Sequence, residues 1–373
     1  MNVRGPKPLV VVTGATGAVG GQAVAALLAK RRHEVLALAR GKGRRSAEQR
    51  VRECLNGNVS GAVSGAGSGA AAPAPGCLTV ESIDLRASDL GLSAAAEERI
   101  LDRAEYFIHA AAQVDLSAPW SEVSANNLEG TAHVLELVGR ARRLKRFIYV
   151  SSAYAVGSGR PYLSHEDRLP QEPAFSNPYE RSKYQAEGLV RQALAGGLMG
   201  AIVRPSIVVG DSRTGRAARH HVIYPLFRTF LHNLLSEWPL LESTTMNLVP
   251  IDFVVRRILG LMRHPSAQGR CFHLVSQQPA SLGTVLGLLG RVTDIRLPKL
   301  VDPKHYDPSR LPPEEQQVYE GLRPFLPYFD DHLRFDCRNM LELGAPPRTG
   351  PAFLLRLGRA AIARGYAQLQ YRS

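Results

Sequence analysis

Tyr179 and Lys183 stand four residues apart in the segment Tyr179-Glu-Arg-Ser-Lys183, a spacing that puts both on one face of a helix. A tyrosine can give a proton to a carbonyl oxygen as negative charge builds on it during hydride transfer. Its ordinary pKa near 10 makes it a poor exchanger around neutrality, and a nearby ammonium favours the tyrosinate. Tyr-x-x-x-Lys occurs on many helices with no such role. Here it follows Val150-Ser-Ser-Ala-Tyr-Ala-Val-Gly157, in which a hydroxyl at the end of a strand can donate to the same carbonyl. The offset from Gly157 favours Ser152 over Ser151. Asn127, in Asn-Leu-Glu-Gly-Thr, is read as orienting Lys183 through backbone and water, with a helix-capping asparagine as the alternative. The candidate catalytic residues are therefore Ser152, Tyr179, Lys183 and Asn127, with no metal.

A second constellation lies near the N-terminus. Thr13, Gly14, Thr16, Gly17, Ala18, Val19 and Gly20 form a G-x-x-G-x-x-G turn between an apolar strand and a helix. Glycines let the backbone approach a pyrophosphate, and the helix N-terminus offers N–H groups to the anion. The second strand ends at Arg40 rather than at an acidic residue. An acid there would bind the ribose hydroxyls of NAD, whereas an arginine suits the 2′-phosphate of NADP. Most of the cations that follow, Lys42, Arg44, Arg45, Arg50 and Arg52, read as a solvated basic loop. NADPH is the expected cofactor. Asp84, with Leu85, sits where a carboxylate meets the adenine amino group. Ala110, Ala111 and Ala112 after His109 let the backbone pass close beneath a cofactor.

These residues need a scaffold, and the hydrophobic pattern supplies one. Apolar runs at Leu9–Val12, Val35–Ala39, Leu78–Ile83, Tyr106–His109, Arg146–Val150, Ala201–Arg204 and Phe272–Val275 alternate with helix-length segments. Continuous apolar strands separated by crossover helices predict an α/β fold, a Rossmann-type doubly wound parallel sheet. Residues 1–215 are assigned to this NADP-binding domain. Residues 216–373 are assigned to a smaller, mostly helical C-terminal substrate lobe and extension, with 247–280 returning to the core. The tract at 57–76, Gly, Ala, Ser and Pro without charge, reads as a flexible insertion. Apolar spacing predicts a helix over Tyr224–Leu235. The arginine-rich amphipathic segment from Phe353 to Arg364 suits either an anionic membrane surface or, preferentially, the protein's own core.

In order, the glycines, Asp84, Asn127, Ser152 and Tyr179-x-x-x-Lys183 resemble the extended short-chain dehydrogenase/reductase superfamily over about residues 8–280. Within it, four stretches look most like fatty acyl-CoA reductases and the thioester-reductase domains of carboxylic acid reductases and peptide or polyketide synthases. Leu38-Ala-Arg40 with Arg50 is similar to their NADPH phosphate site. Asn177-Pro-Tyr-Glu-Arg-Ser-Lys-Tyr-Gln-Ala-Glu187 is similar to their active-site helix. Val203-Arg-Pro-Ser-Ile-Val-Val-Gly-Asp-Ser-Arg-Thr-Gly215 resembles the segment in which Pro205, Ser206 and Ile207 line the nicotinamide. Asn247-Leu-Val-Pro-Ile-Asp-Phe-Val254 resembles the return to the core, and Tyr328 to Asp336 is weakly similar to an acyl-reductase C-terminal segment. The families often have threonine where Ser152 stands, and the 57–76 tract matches nothing in them. The resemblance implies reduction of an acyl thioester, carried by coenzyme A or an acyl carrier protein, to an aldehyde or alcohol. An NADP-dependent ketone, aldehyde or 3-hydroxy (steroid-like) dehydrogenase is the runner-up. Nucleotide-sugar epimerase or dehydratase chemistry and a non-catalytic NADPH-sensing module rank below it.

Bulk properties narrow the rest. The formal net charge of +13 suits anionic partners, or only a basic solvated surface. No nucleic-acid-binding module is recognisable. The apolar run at Leu9–Val12 is too short for a leader peptide, and no stretch reaches membrane-spanning length. Four scattered cysteines form neither a metal-ligand spacing nor a disulfide framework, so a cytoplasmic chain is expected, with oligomerisation left open.

Overall fold

The computed structural model describes residues 6–62, 76–157, 162–217, 228–230, 232–292, 298–329 and 333–363. Seven parallel strands build one sheet: β1 (Leu9–Thr13), β2 (Glu34–Ala39), β3 (Leu78–Ser82), β4 (Ala104–His109), β5 (Arg146–Val150), β6 (Gly200–Pro205) and β7 (Cys271–Leu274). Their spatial order is 3-2-1-4-5-6-7. Each corresponds to an apolar run read from the sequence, with ends displaced by a residue or two. The order reverses between β1 and β4, and a doubly wound sheet opens a ligand crevice at the carboxyl ends of its strands there.

Alternation along each strand explains the two layers. Val10, Val12, Val35, Ala37, Ile108, Ile148 and Val203 face one buried cluster, and Leu9, Val11, Leu36, Phe107, Phe147 and Ile202 face the other. The first cluster is closed by α1 (Ala18–Lys30), α2 (Ala47–Ala62) and helices of the C-terminal half. The second is closed by α3 (Ala94–Arg103), by α5 (Gly130–Gly139), which continues a short α4 (Trp120–Ser124) through a π-turn, and by α6 (Pro178–Ala195).

Beyond β6, Ile207–Val209 pairs in parallel with Leu248–Pro250, and α7 (Ile251–Leu261) packs on α1 before β7 joins the sheet edge. The remaining helices are α8 (Leu282–Val292), α9 (Pro313–Leu322), α10 (Arg338–Glu342) and α11 (Pro351–Ala361). In α11, Phe353, Leu354, Leu357 and Ala361 are buried, and the helix packs on α8. The apolar face that could have met a membrane is thus covered by the chain itself. No described helix is long and apolar enough to cross a bilayer.

Two local expectations are corrected. Helix α2 continues to Ala62, so the first six residues of the 57–76 tract are helical. Once a helix is nucleated, each further residue adds a hydrogen bond, and small side chains do not obstruct it. The expectation for residues 63–75 lies outside the described residues. Of the helix expected over Tyr224–Leu235, residues 224–227 and 231 lie outside them. The described remainder ends early, because Asn233 takes a left-handed φ of 49° and Leu234 N–H closes back on the Thr229 carbonyl at 3.0 Å. That is a helix-terminating arrangement, which apolar spacing alone cannot reveal.

Candidate active site

A cavity of about 470 Å³ opens at the reversal point of the sheet. Its walls include Gly14, Thr16, Gly17, Ala18, Val19, Arg40, Arg50, Leu85, Ala110, Ala111, Ala112, Ser152, Tyr179, Lys183, Pro205, Ser206 and Ile207. One space therefore joins the glycine turn, the basic end of β2, the Tyr/Lys helix and the segment after β6.

The glycine turn is made by close approach. Gly14 has a φ of 70°, and a Cβ there would lie 2.7 Å from Ala111 N. Gly20 does not line the cavity; a Cβ on it would sit 2.3 Å from Gly14 O, so its role is to let α1 press against the turn. No side chain caps α1 and no acidic residue occupies its first turn, which leaves its positive end for an anion. The Ser206 hydroxyl, buried in the cavity wall, has no hydrogen-bond partner among the described residues. Cradle, basic end and orphaned hydroxyl fit a nicotinamide dinucleotide.

The helix that carries Tyr179 and Lys183, α6, starts where its capping residues dictate. Asn177 Oδ1 accepts from Glu180 N–H at 3.0 Å, Pro178 occupies the first helical position, and Glu180 reaches back to Ser176 N–H at 2.9 Å. Tyr179 is thereby held in the first turn and Lys183 in the next. Burial pushes the Tyr179 phenol up to about 12, against the opposing effect of its hydrogen bond with Ser152, while the Glu180 charge adds to the rise. Tyr179 therefore keeps its proton at neutral pH and is set up as a donor. Burial pulls Lys183 down to about 7, and Glu187 works against that fall. Its amino group donates to the Val150 carbonyl at 2.7 Å and lies 4.4 Å from the centre of the Tyr149 ring. The lowering of the Tyr179 pKa expected from Lys183 is absent, because burial dominates and the ammonium is turned to Val150.

Ser152 and Ser151 have different partners. Ser151 Oγ donates to Glu187 Oε2 at 2.7 Å, whereas Ser152 Oγ accepts from Tyr154 N–H at 3.1 Å and acts to lower the Tyr179 phenol. Ser152 and Tyr179 line the same cavity wall.

Besides Gly20, three expected site residues stand outside the cavity wall. Thr13 Oγ1 bonds His109 Nδ1 at 2.7 Å and accepts from Ala111 N–H at 3.3 Å, so it braces the turn from beneath. Asp84 is engaged in a two-point ion pair with Arg86, at 3.0 and 2.7 Å. That hydrogen bonding, against a small cost of burial, holds its carboxyl at about 2. Asn127 is neither a cap nor a partner of Lys183. It accepts from Gln113 N–H at 2.7 Å and donates to the Gln113 carbonyl and to Ser182 Oγ, at 3.0 and 2.9 Å. Ser182 in turn donates to the Tyr179 carbonyl at 2.7 Å, so Asn127 acts on the backbone of the catalytic helix. His109 Nε2 bonds Thr131 Oγ1 at 3.2 Å, and Thr131 donates to the Asn127 carbonyl at 2.5 Å. A buried polar line thus joins the glycine turn to the catalytic helix.

Cavity residues that sequence reasoning missed include Lys42, Gln113, Leu116, Tyr154 and Tyr328. Tyr328, from the C-terminal half, accepts from Asn177 Nδ2 at 2.9 Å and meets Tyr154 edge-on with ring centres 4.6 Å apart. The Tyr328–Asp336 stretch carried a faint signal of this. Lys42 carried only its place two residues past Arg40.

A parallel sheet with a glycine cradle at its reversal point and a hydroxyl pair beside a buried lysine defines an oxidoreductase that uses a nicotinamide cofactor. Residues 12–258 match the model of the male sterility protein family, which has an NAD-binding fold, and the chain belongs to that family within the extended short-chain dehydrogenases/reductases. The L-2-aminoadipate reductase large subunit of Penicillium chrysogenum is 28% identical over 280 residues, covering 70% of this chain but 19% of that protein. The chain thus spans about a fifth of the length of such relatives. The terminal R domain of the myxalamid PKS-NRPS pathway superposes with a TM-score of 0.81 at 23% identity, covering 98% of this chain and 93% of that one. An archaeal thiolation-reductase di-domain of a non-ribosomal peptide synthetase gives 0.70 at 19% identity, over 96% and 91%.

Proposed function

We propose that this protein reduces an acyl thioester with NADPH, releasing a thiol and an aldehyde, with the alcohol as the product of a second reduction. The observation that carries the reading is the single cavity running from Arg40, Lys42 and Arg50 to the Ser152–Tyr179 corner. The likeness to reductase domains that terminate or adjoin thioester-carrying synthases supports it, and an acyl carrier protein or coenzyme A is the matching acyl donor.

A reduced nicotinamide, when bound, supplies the hydride. The chain's residues handle the oxygen. Ser152 and Tyr179 hydrogen-bond the substrate carbonyl, and they stabilise the negative charge that grows there as the carbon becomes tetrahedral. Tyr179, protonated at neutral pH, supplies the proton. The oxygen then returns that proton to Tyr179 as the carbonyl re-forms and the thiolate is expelled, and the thiolate takes a proton from solvent to leave as the thiol. Lys183, which donates to the Val150 carbonyl, would hold the nicotinamide ribose, and Pro205 and Ser206 would line the nicotinamide. Thr13 and Asn127 hold the cradle and the helix in register.

Following NADPH consumption and thiol appearance together over a panel of acyl-CoA and carrier-bound thioesters, aldehydes and ketones tests the reading. Thiol release in step with oxidation is expected. Oxidation with ketones or aldehydes alone, without thiol, would replace it with a simple dehydrogenase. Cofactor choice has its own test. Arg40→Ala is expected to weaken NADPH binding by about 10- to 100-fold, the loss of one charge-assisted hydrogen bond, and to leave NADH binding nearly unchanged. Equal losses for both cofactors, measured by binding titration, would remove Arg40 from a 2′-phosphate site.

A further inference from the structure

Glu187 lies one turn beyond Lys183 on α6 and has no exposed surface. Its carboxylate accepts from Arg204 Nε and Nη2 at 2.9 and 2.6 Å, from Arg191 Nε at 2.9 Å and from Ser151 Oγ at 2.7 Å. Arg204, equally buried, also donates to the His165 carbonyl at 2.8 Å and faces His273 Nε2 at 3.2 Å. Burial alone would push the Glu187 carboxyl up; the Arg204 charge and hydrogen bonds, with Arg191 and Ser151, outweigh it and hold the group at about 2.

Burying two charges costs several kcal/mol of desolvation, and apolar side chains of similar size usually serve stability as well. The place of this pair gives it another use. Ser151 precedes Ser152 at the end of β5, Arg204 on β6 stands two residues before Ser206, and Glu187 shares α6 with Tyr179 and Lys183. One carboxylate joins the three elements that deliver the site's side chains.

Its charge also reaches Lys183. The groups around the lysine are His109 on β4, kept neutral by burial and by Lys183 itself, the Tyr149 ring and Val150 carbonyl on β5, and Tyr179 and Glu187 on its own helix. Around Glu187 lie Arg191 and, on β6, Arg204, with Cys271 and His273 of β7 both neutral through burial. Glu187 is the group that favours the charged form of Lys183 against burial.

We propose that Glu187 is a positioning residue for this reductase: through Ser151 and Arg204 it fixes β5, α6 and β6 relative to one another, and it is the counter-charge of the Lys183 ammonium. The inference rests on the catalytic reading of Tyr179 and Lys183, so its test includes a measurement made without substrate.

The Lys183 Cε resonance, titrated by NMR in the full chain, is expected to show a midpoint about one pH unit lower in Glu187→Gln, which keeps hydrogen-bond acceptors but not the charge. The alkaline limb of kcat should fall by the same interval, because turnover is lost as Lys183 deprotonates. Arg191→Ala, at a partly exposed position, removes one of the cations that share the Glu187 carboxylate, leaves more of that charge to Lys183 and should raise the midpoint by roughly a few tenths of a unit. It carries the charge test even if Glu187→Gln fails to fold. Ser151→Ala keeps the charge and should lower kcat at unchanged KM without moving the midpoint. Midpoints that stay at the wild-type value in folded Glu187→Gln or in Arg191→Ala would overturn the counter-charge role. Wild-type kcat in Ser151→Ala would overturn the positioning role. A wild-type chain inactive on every thioester, with the midpoint shifts intact, would instead refute the proposed reaction alone.

Discussion

Tyr179→Phe is expected to lower kcat by about 10²- to 10⁴-fold, the range for losing a positioned proton donor, with cofactor affinity held within a few-fold. The substitution removes one oxygen and keeps the ring that packs in the cavity wall. Ser152 would still hydrogen-bond the substrate, so the residual rate should be measurable and should fall again in the Ser152→Ala double variant. The acid–base logic has a definite sign. Burial holds Tyr179 at about 12 and Lys183 at about 7. In the reductive direction turnover should therefore fall as pH rises through the Lys183 midpoint, well before the phenol ionises. A pH–rate profile with a steep loss only above the tyrosine range would assign the limb to Tyr179 instead. Unchanged turnover in Tyr179→Phe would remove Tyr179 from the chemistry, whereas dinucleotide binding without turnover in the wild type would favour a non-catalytic module.

Gly20→Ala carries the second large effect. Alanine is the better helix former by about 1 kcal/mol, so propensity alone predicts a gain. The added Cβ would instead sit 2.3 Å from Gly14 O and 2.7 Å from Gly14 C, both backbone atoms of the turn that must hold a pyrophosphate. Relief requires α1 to move away from the cradle. Stability should drop by about 1–3 kcal/mol, as for other overpacked sites, and cofactor affinity by about 10²-fold, because the anion-binding N–H groups move with the helix. Gly188→Ala on α6 is the matched control: its Cβ meets nothing within 4 Å, and stability should rise by up to about 1 kcal/mol. Thermal melts and cofactor titration of the pair separate clash from propensity.

The contrast between those two glycines shows where sequence reading stops. The seven strands were legible because strands buried on both faces must be continuously apolar, and the crossover segments between them left few topologies. Tyr179 and Lys183 were legible because helical spacing is local. The side-chain partners of Asn127 were not legible, because Ser182 is 55 positions away and the other partner is backbone. The ion pair of Asp84 was not read, although Arg86 stands only two residues on and engages its carboxylate. Tyr328 becomes part of the cavity only when the C-terminal half folds back on Asn177. Each miss is a choice of partner, which depends on distances the chain acquires only when packed.

The polar line beneath the cavity has one further consequence, for the protons themselves. Thr131 gives its single hydroxyl proton to the Asn127 carbonyl, so toward His109 it can only accept. The imidazole must then carry its proton on Nε2, which leaves Nδ1 as an acceptor for the Thr13 hydroxyl, itself facing Ala111 N–H with a lone pair. All donors point the same way, from the glycine turn toward the catalytic helix. Burial first, and the Lys183 charge second, hold His109 at about 3, so this tautomer should persist across the whole working pH range. Nitrogen-15 shifts of His109 should report an Nε2–H imidazole that does not titrate. Thr131→Val should relax that choice and let the two tautomers exchange, making one buried ring a built-in gauge of whether cradle and catalytic helix are still joined.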